Sequence, residues 1–227
     1  MNLHTASSPQ ARRYRLATTA LTGALALACM ASLPGCVLLV GAGAVGAGMS
    51  LNDRRTGGTQ LEDQAIELKS GNRIREAIGD KSHINVTSYN RTALITGEVP
   101  TEADKVAVGD ALAKGENVKS VVNELGIGQN SSPGSRTTDA FLTTKVKATL
   151  VDAKDVQANA YKVVVERAVV FLMGRVTERE ANRGAELARS VTSVQKVVRV
   201  FEILSEEELA NLGRSSSPAP AASGAGK

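Results

Sequence analysis

Between residues 61 and 204 the apolar positions follow two periods, one helical and one extended, and the same succession of periods occurs twice. In the first set, Leu61, Ala65, Leu68, Ile74 and Ile78 carry a helical stripe interrupted at Ser70-Gly71. Ile84, Val86 and Ser88 then alternate with polar neighbours, the spacing of a half-buried strand, and Asn90-Arg91 turns the chain into a second strand from Ala93 to Val99. Thr101 stands as a helix N-cap with Asp104 three residues on, and Val106, Ala107, Ala111 and Leu112 mark the inner face of the helix. Val118 to Ile127 reads as the closing strand. The second set predicts a helix from Thr138 to Val151, strands near Tyr161–Glu166 and Ala168–Gly174, a helix from Glu178 to Ser190 and a strand from Val194 to Leu204. Its Thr177 and Glu180 make a more complete capping box.

The two sets align. His83–Ser88 falls without a gap on Ala160–Val165, and Leu94–Val99 on Phe171–Val176. After one extra residue at Pro100, Val118–Val122 falls on Val194–Val198. Three blocks in register make an internal duplication. A hairpin pairs antiparallel, whereas a strand–helix–strand crossover is right-handed and pairs parallel. The expected fold class is therefore α+β: two tandem αββαβ units, each a small mixed sheet with two helices on one face. Gly97 and Gly174 close the hairpins just before a helix, where a special backbone conformation or a close approach that a side chain would obstruct is expected. Residues 62–128 and 137–204 are the two copies, 129–136 a linker and 205–227 a tail. A helical turn is expected at Glu206–Leu212, and disorder in the Ser-, Pro-, Ala- and Gly-rich end.

Ahead of the repeat, Arg12, Arg13 and Arg15 precede an apolar run from Leu16 to Ala31, short of a comfortable membrane span. Leu33-Pro34-Gly35-Cys36 ends the run, and the whole resembles a bacterial lipoprotein signal. That resemblance implies removal of residues 1–35 and a lipid-modified Cys36 as the first mature residue. Val37, in place of the Asp that retains enterobacterial lipoproteins at the inner membrane, implies the outer membrane, facing the periplasm. Residues 36–61 then read as a flexible tether. Gly41-Ala42-Gly43-Ala44-Val45-Gly46 within it has the glycine spacing of a dinucleotide fingerprint, but not the strand, helix and acidic residue such a site needs. No nucleotide is expected.

Composition changes the picture once the signal is subtracted. The full chain holds 27 Lys+Arg and 23 Asp+Glu, but residues 1–35 contain three Arg and no acid, leaving 24 against 23. The basic character thus belongs to the discarded peptide, which removes the main argument for nucleic-acid binding. Cys29 leaves with the signal and Cys36 carries lipid, so no thiol remains for a disulfide, a metal or a nucleophile. His83 is the one mature histidine, standing by itself at a strand start. Glu178 and Glu180 are accounted for by helix capping, and the serines cluster in linker and tail. No catalytic set, cofactor or metal site emerges.

The hairpins ending in Gly97-Glu98-Val99 and Gly174-Arg175-Val176 and the closing Val118–Val122 and Val194–Val198 blocks resemble the BON domain family. The run Phe171-Leu172-Met173-Gly174-Arg175-Val176-Thr177-Glu178-Arg179-Glu180-Ala181 is similar to the second domain of dual-BON outer-membrane lipoproteins. The resemblance covers about residues 60–204 plus the lipid-attachment motif. It implies a non-enzymatic protein that supports envelope integrity and binds phospholipid through the first helix of its second domain. Charge agrees in sign: residues 62–126 hold eight Lys+Arg against eleven Asp+Glu, residues 136–204 twelve against eight. The second copy would thus face anionic headgroups, each well-placed cation adding about 1 kcal/mol. On the helix from Thr138, Leu142, Val146 and Leu150 form the core stripe, while Phe141, Lys145 and Ala148 fall together away from it, with Lys147 at the patch edge. Phe141 would equally suit packing against the other domain or a partner. The alternative function is accordingly an adaptor that binds envelope assembly or division proteins.

Overall fold

The computed structural model describes residues 53–80 and 82–215, with side chains to residue 212. Helix α1 (Gly57–Ile78) leads into the hairpin β1 (His83–Tyr89) and β2 (Thr92–Val99), followed by helix α2 (Glu102–Ala113) and two short strands, β3 (Ser120–Asn123) and β4 (Gly126–Ile127). The second copy repeats the order with α3 (Pro133–Asp152), β5 (Tyr161–Glu166), β6 (Val169–Thr177), α4 (Glu178–Ser190) and β7 (Lys196–Leu204). A last helix, α5, spans Glu206–Ser215. The hairpins pair antiparallel and the crossovers pair parallel, β2 with β3 and β4, and β6 with β7, as the α+β reading requires.

The closing strand differs between the copies. In the second, β7 keeps nine consecutive pairs with β6. In the first, β3 and β4 keep one register against β2, with the Glu124 N–H still donating to the Ile95 carbonyl (2.9 Å), while the Leu125 N–H between them goes to the Asn123 side chain (3.3 Å). That amide is itself fixed by donating to the Lys105 carbonyl of α2 (2.8 Å).

Helix α1 departs from the stripe read from sequence. It runs unbroken through Ser70-Gly71 and starts at Gly57, capped by Thr56. Its inward residues are Asp63, Ile66, Ser70 and Ile74, while Leu61 and Leu68 point to solvent. Two of the four inward residues are polar, which hid the buried face from an apolar count. The Ser70 hydroxyl is satisfied by the Ile66 carbonyl (2.6 Å). On α2 the inward pair is Val108 and Leu112, and Val106 is exposed.

The polar Asp63 explains the hairpin. Asn90 and Arg91 both sit at positive φ (50° and 66°), the two-residue geometry that best matches strand twist but that favours Asn and Gly. Both turn N–H groups donate to the Asp63 carboxylate, each at 2.8 Å. The second copy does the same: Arg167 and Ala168 (φ 51° and 58°) donate to Asp139 of α3, each at 2.9 Å. Burial alone would raise the Asp63 pKa. Hydrogen bonds from the Ser88 hydroxyl, the Arg91 N–H, Arg55 and the Asn90 N–H outweigh it and hold the carboxyl below its ordinary range.

Each sheet is covered by helices on one side. Ile66, Ile74, Ile95, Val99, Val108 and Leu112 form the core of the first copy; Val146, Leu150, Val163, Leu172, Val176 and Ala185 lie buried in the second. The opposite faces of the two sheets meet. Tyr89 and Leu94 pack with Phe171 and Met173, flanked by Val122, Val164, Val198 and Val200, in a third apolar cluster shared between the copies. The result is four layers, helix–sheet–sheet–helix. Polar contacts ring this seam: Lys162 donates to Glu67 (2.8 Å) and to the Ser88 carbonyl (3.1 Å), and Asn90 to Glu202.

At Gly97 and Gly174 an added Cβ would land on the carbonyl oxygen of His83, at the start of β1, and of Ala160, just before β5, respectively. Gly97 also has φ +117°, closed to other residues. Gly174→Val is expected to lower stability by about 1–3 kcal/mol, because the carbonyl it meets is backbone that cannot rotate away. Chemical denaturation of the parent and variant chains measures this; equal midpoints and slopes would remove the close-approach role.

Candidate lipid-facing site

Helix α3 is where the expected lipid-binding residues come together. Ser132 caps it, accepting from the Ser135 N–H (3.2 Å), and Pro133 occupies the first turn, where its missing N–H costs nothing. The helix therefore begins inside the stretch read as linker. Leu142, Val146 and Leu150 are buried, as their spacing predicts, and Asp139 is buried with them on the turn it clamps. Phe141 points outward at 62% exposure, and the Lys145 ammonium lies 4.7 Å from its ring centroid, a cation–π contact on the surface. Lys147 and Ala148 are exposed as well.

The structure adds to this set. Val151 is 69% exposed, and at 100° per residue Phe141, Thr144, Ala148 and Val151 line up as an outward stripe. Lys145 and Lys147 flank it on opposite sides. Between Asp139, turned inward, and Asp152 at the helix end there is no carboxylate. The threonines remove a further obstacle to an apolar contact. Thr137, Thr138, Thr143, Thr144 and Thr149 each donate their hydroxyl to the carbonyl four residues back, at 2.8–3.2 Å, so these groups need no water partner. Sequence reading missed Val151 because it stands at the last turn, beyond the apolar stripe used to orient the helix.

Cys36 and the glycine-rich segment after it lie outside the described residues. Of the stretch read as tether, the described part is not free of the fold. Arg54 reaches Glu180 of α4 with both terminal nitrogens (2.7 and 2.8 Å) and the Arg175 carbonyl (2.8 Å). Arg55 pairs with Asp53 and Asp63, both at 2.7 Å, and covers the Tyr89 ring at 4.2 Å from its centroid. His83, read as solitary, has neighbours: its Nδ1 lies 3.3 Å from Glu98, with Glu166 of the second copy close by. Among the described residues no helix is long and apolar enough to cross a membrane.

The duplicated αββαβ unit defines the class. Residues 62–129 and 138–205 each match the BON domain, and the chain belongs to the BON-domain family. It is 39% identical over 176 residues to the outer membrane lipoprotein DolP of Haemophilus influenzae, a match that covers 76% of this chain and 90% of that one. It is also 33% identical over 151 residues to a 21 kDa hemolysin of Actinobacillus pleuropneumoniae, covering 66% of this chain and 78% of the relative. Among solved structures, CdsD, a structural protein of the type III secretion system of Chlamydia trachomatis, aligns at 16% identity with a TM-score of 0.26, over 69% of this chain and 70% of that one. With two BON domains and the DolP likeness, the chain stands among the outer-membrane lipoproteins of its family.

Proposed function

We propose that the mature chain hangs from the periplasmic face of the outer membrane by lipid on Cys36, and that α3 docks on anionic phospholipid. What carries the reading is the outward Phe141–Thr144–Ala148–Val151 stripe, flanked by Lys145 and Lys147 and free of exposed acid until Asp152. An aromatic at the headgroup boundary supplies buried area, and the lysines supply attraction to anionic lipid. The protein acts here as a binding module that ties lipid to envelope integrity, with no chemistry of its own.

Phe141→Glu should weaken binding of the two domains, without the lipid anchor, to phosphatidylglycerol vesicles by about ten- to hundredfold. Losing a largely buried aromatic costs roughly 1.5–3 kcal/mol before repulsion by the headgroups is counted. Lys145→Glu or Lys147→Glu should give smaller losses that shrink in high salt. Vesicle flotation read beside melting curves tests this. Normal flotation of Phe141→Glu would refute the lipid-facing helix, and loss of the fold would place Phe141 in the core.

Cys36→Ala should abolish lipid attachment and leave the chain uncleaved or misplaced, since Leu33–Cys36 is the proposed attachment motif. Mass spectrometry of the membrane fraction decides the matter; a normally acylated variant would exclude the assignment.

A second reading rests on the first domain. Leu61 and Leu68 are exposed two turns apart on α1, and Val106 is exposed on α2, in the copy with the acidic balance. Exposed apolar side chains on the helices of this copy suit an adaptor for envelope proteins.

A further inference from the structure

Where the two sheets meet, three side chains with metal-ligating chemistry converge from both copies. His83 opens β1, Glu98 stands opposite it near the end of β2, and Glu166 ends β5 of the second domain. One ligand atom from each lies within 4.8 Å of the other two. We propose that His83, Glu98 and Glu166 bind a divalent transition-metal cation of the Zn²⁺ class, and that the ion ties the first BON domain to the second.

Three observations support this. First, Glu98 is only 2% exposed, and its Oε1 accepts no hydrogen bond among the described residues. A buried carboxylate oxygen without a donor calls for a partner, because each such orphan costs free energy. The closest positive group, Arg167 Nε, stands 3.6 Å away, beyond hydrogen-bond range, on a side chain 46% exposed that can withdraw into solvent.

Second, the ligand set is of the right kind. One imidazole and two carboxylates form a neutral-nitrogen and anionic-oxygen set that suits Zn²⁺ and its first-row neighbours. Ca²⁺ would demand six or more oxygens, and Mg²⁺ a full octahedral oxygen shell. The fourth position falls to water: His83 and Glu166 line a cavity of about 190 Å³ at the seam, ample for one.

Third, the ligands are already oriented by their neighbours. The Ser131 N–H donates to Glu98 Oε2 (3.0 Å), and Asn85 donates to Glu166 Oε2 (3.2 Å). Such outer contacts fix ligand direction in metal sites. His83 Nδ1 and Glu98 Oε2, 3.3 Å apart, already have the separation of two ligands on one tetrahedral ion, which would sit against the same carboxylate that carries the unpartnered Oε1. Glu166 has the remaining contraction to make.

The test uses the full, untagged chain in detergent, stripped with EDTA and titrated calorimetrically with ZnCl₂. One ion should bind per chain and raise the melting temperature. Glu166→Gln and His83→Gln should each weaken Zn²⁺ binding by at least about tenfold, as direct ligands count for no less than outer-shell ones, while melting in EDTA as the parent does. Co²⁺ gives a reading on the parent chain alone, independent of how the variants fold: visible d–d bands of a low-coordinate nitrogen–oxygen site. Absence of one-to-one binding, undiminished affinity in either variant, or a Co²⁺ spectrum no different from the aqueous ion would each overturn the site.

Discussion

Asp139→Ala should lower the stability of the chain by about 3–5 kcal/mol. Two N–H groups of the second hairpin turn, those of Arg167 and Ala168, donate to this one buried carboxylate. Hydrogen bonds to a charged acceptor contribute roughly 1.5–3 kcal/mol each, and their loss leaves both donors without a protein partner. The turn itself is unfavourable without them, since neither Arg167 nor Ala168 is a residue that prefers positive φ. For a chain of this size the melting temperature should fall by roughly 10 °C or more. Asp139→Asn keeps one acceptor oxygen and should give an intermediate loss. Circular dichroism melts of the three chains suffice. A shift below about 1 kcal/mol for the alanine variant would mean that the turn holds without its clamp.

Arg54→Met should be of similar size. The arginine and its partner Glu180 are 7% and 5% exposed at their side chains. Removing one member of a buried ion pair costs about 3–5 kcal/mol, because the other charge stays buried without compensation. Glu180 also belongs to the capping box of α4, so it cannot turn away without giving up the bond from the Thr177 N–H (3.0 Å). Restoring neutrality with Arg54→Met/Glu180→Gln should recover most of the loss.

Acid gives a second reading of the same pair. The hydrogen bond from Arg54, working against burial, holds the Glu180 carboxyl below its ordinary range. A carboxyl with a lowered folded-state pKa stabilises fully above its unfolded value, about 4.3, and loses that contribution as pH falls through the folded one. Parent and Arg54→Met stabilities should therefore differ at neutral pH and converge below about pH 4. A constant difference across that window would place the effect elsewhere than in the ion pair.

Much of this was legible in the chain. The two periods, the three aligned blocks and the Thr177–Glu180 box prescribe the αββαβ order. The inward stripe Leu142–Val146–Leu150 orients α3 and so leaves Phe141 outside. What escaped was mostly polar. The turn clamps are single aspartates on helices, and Asp63 and Asp139 are 76 residues apart where the hairpin blocks are 77 apart, so a gapless alignment separates them. Ile66 was lost behind Leu61 and Leu68, which are as hydrophobic but lie on an outward face. The meeting of the sheets left a trace that alternation cannot explain. Val169 to Met173 is apolar without interruption, as a strand covered on both faces must be. Its partner across the seam could not be read, since Tyr89 sits among polar residues and Leu94 within an apolar run of only three, Ala93–Ile95. His83, Glu98 and Glu166 were scattered over two repeats and had no motif spacing to join them.

That seam has a kinetic meaning. Tyr89, Leu94, Phe171 and Met173 are brought together by a connection that, between β4 and α3, amounts to residues 128–132. A link so short presents one sheet to the other at an effective concentration on the order of millimolar or above. Cutting the backbone there would leave the apolar contacts between the sheets in place, yet docking would become a bimolecular event that dilution can undo. The duplication has in this way turned an association between two chains into a step of folding within one.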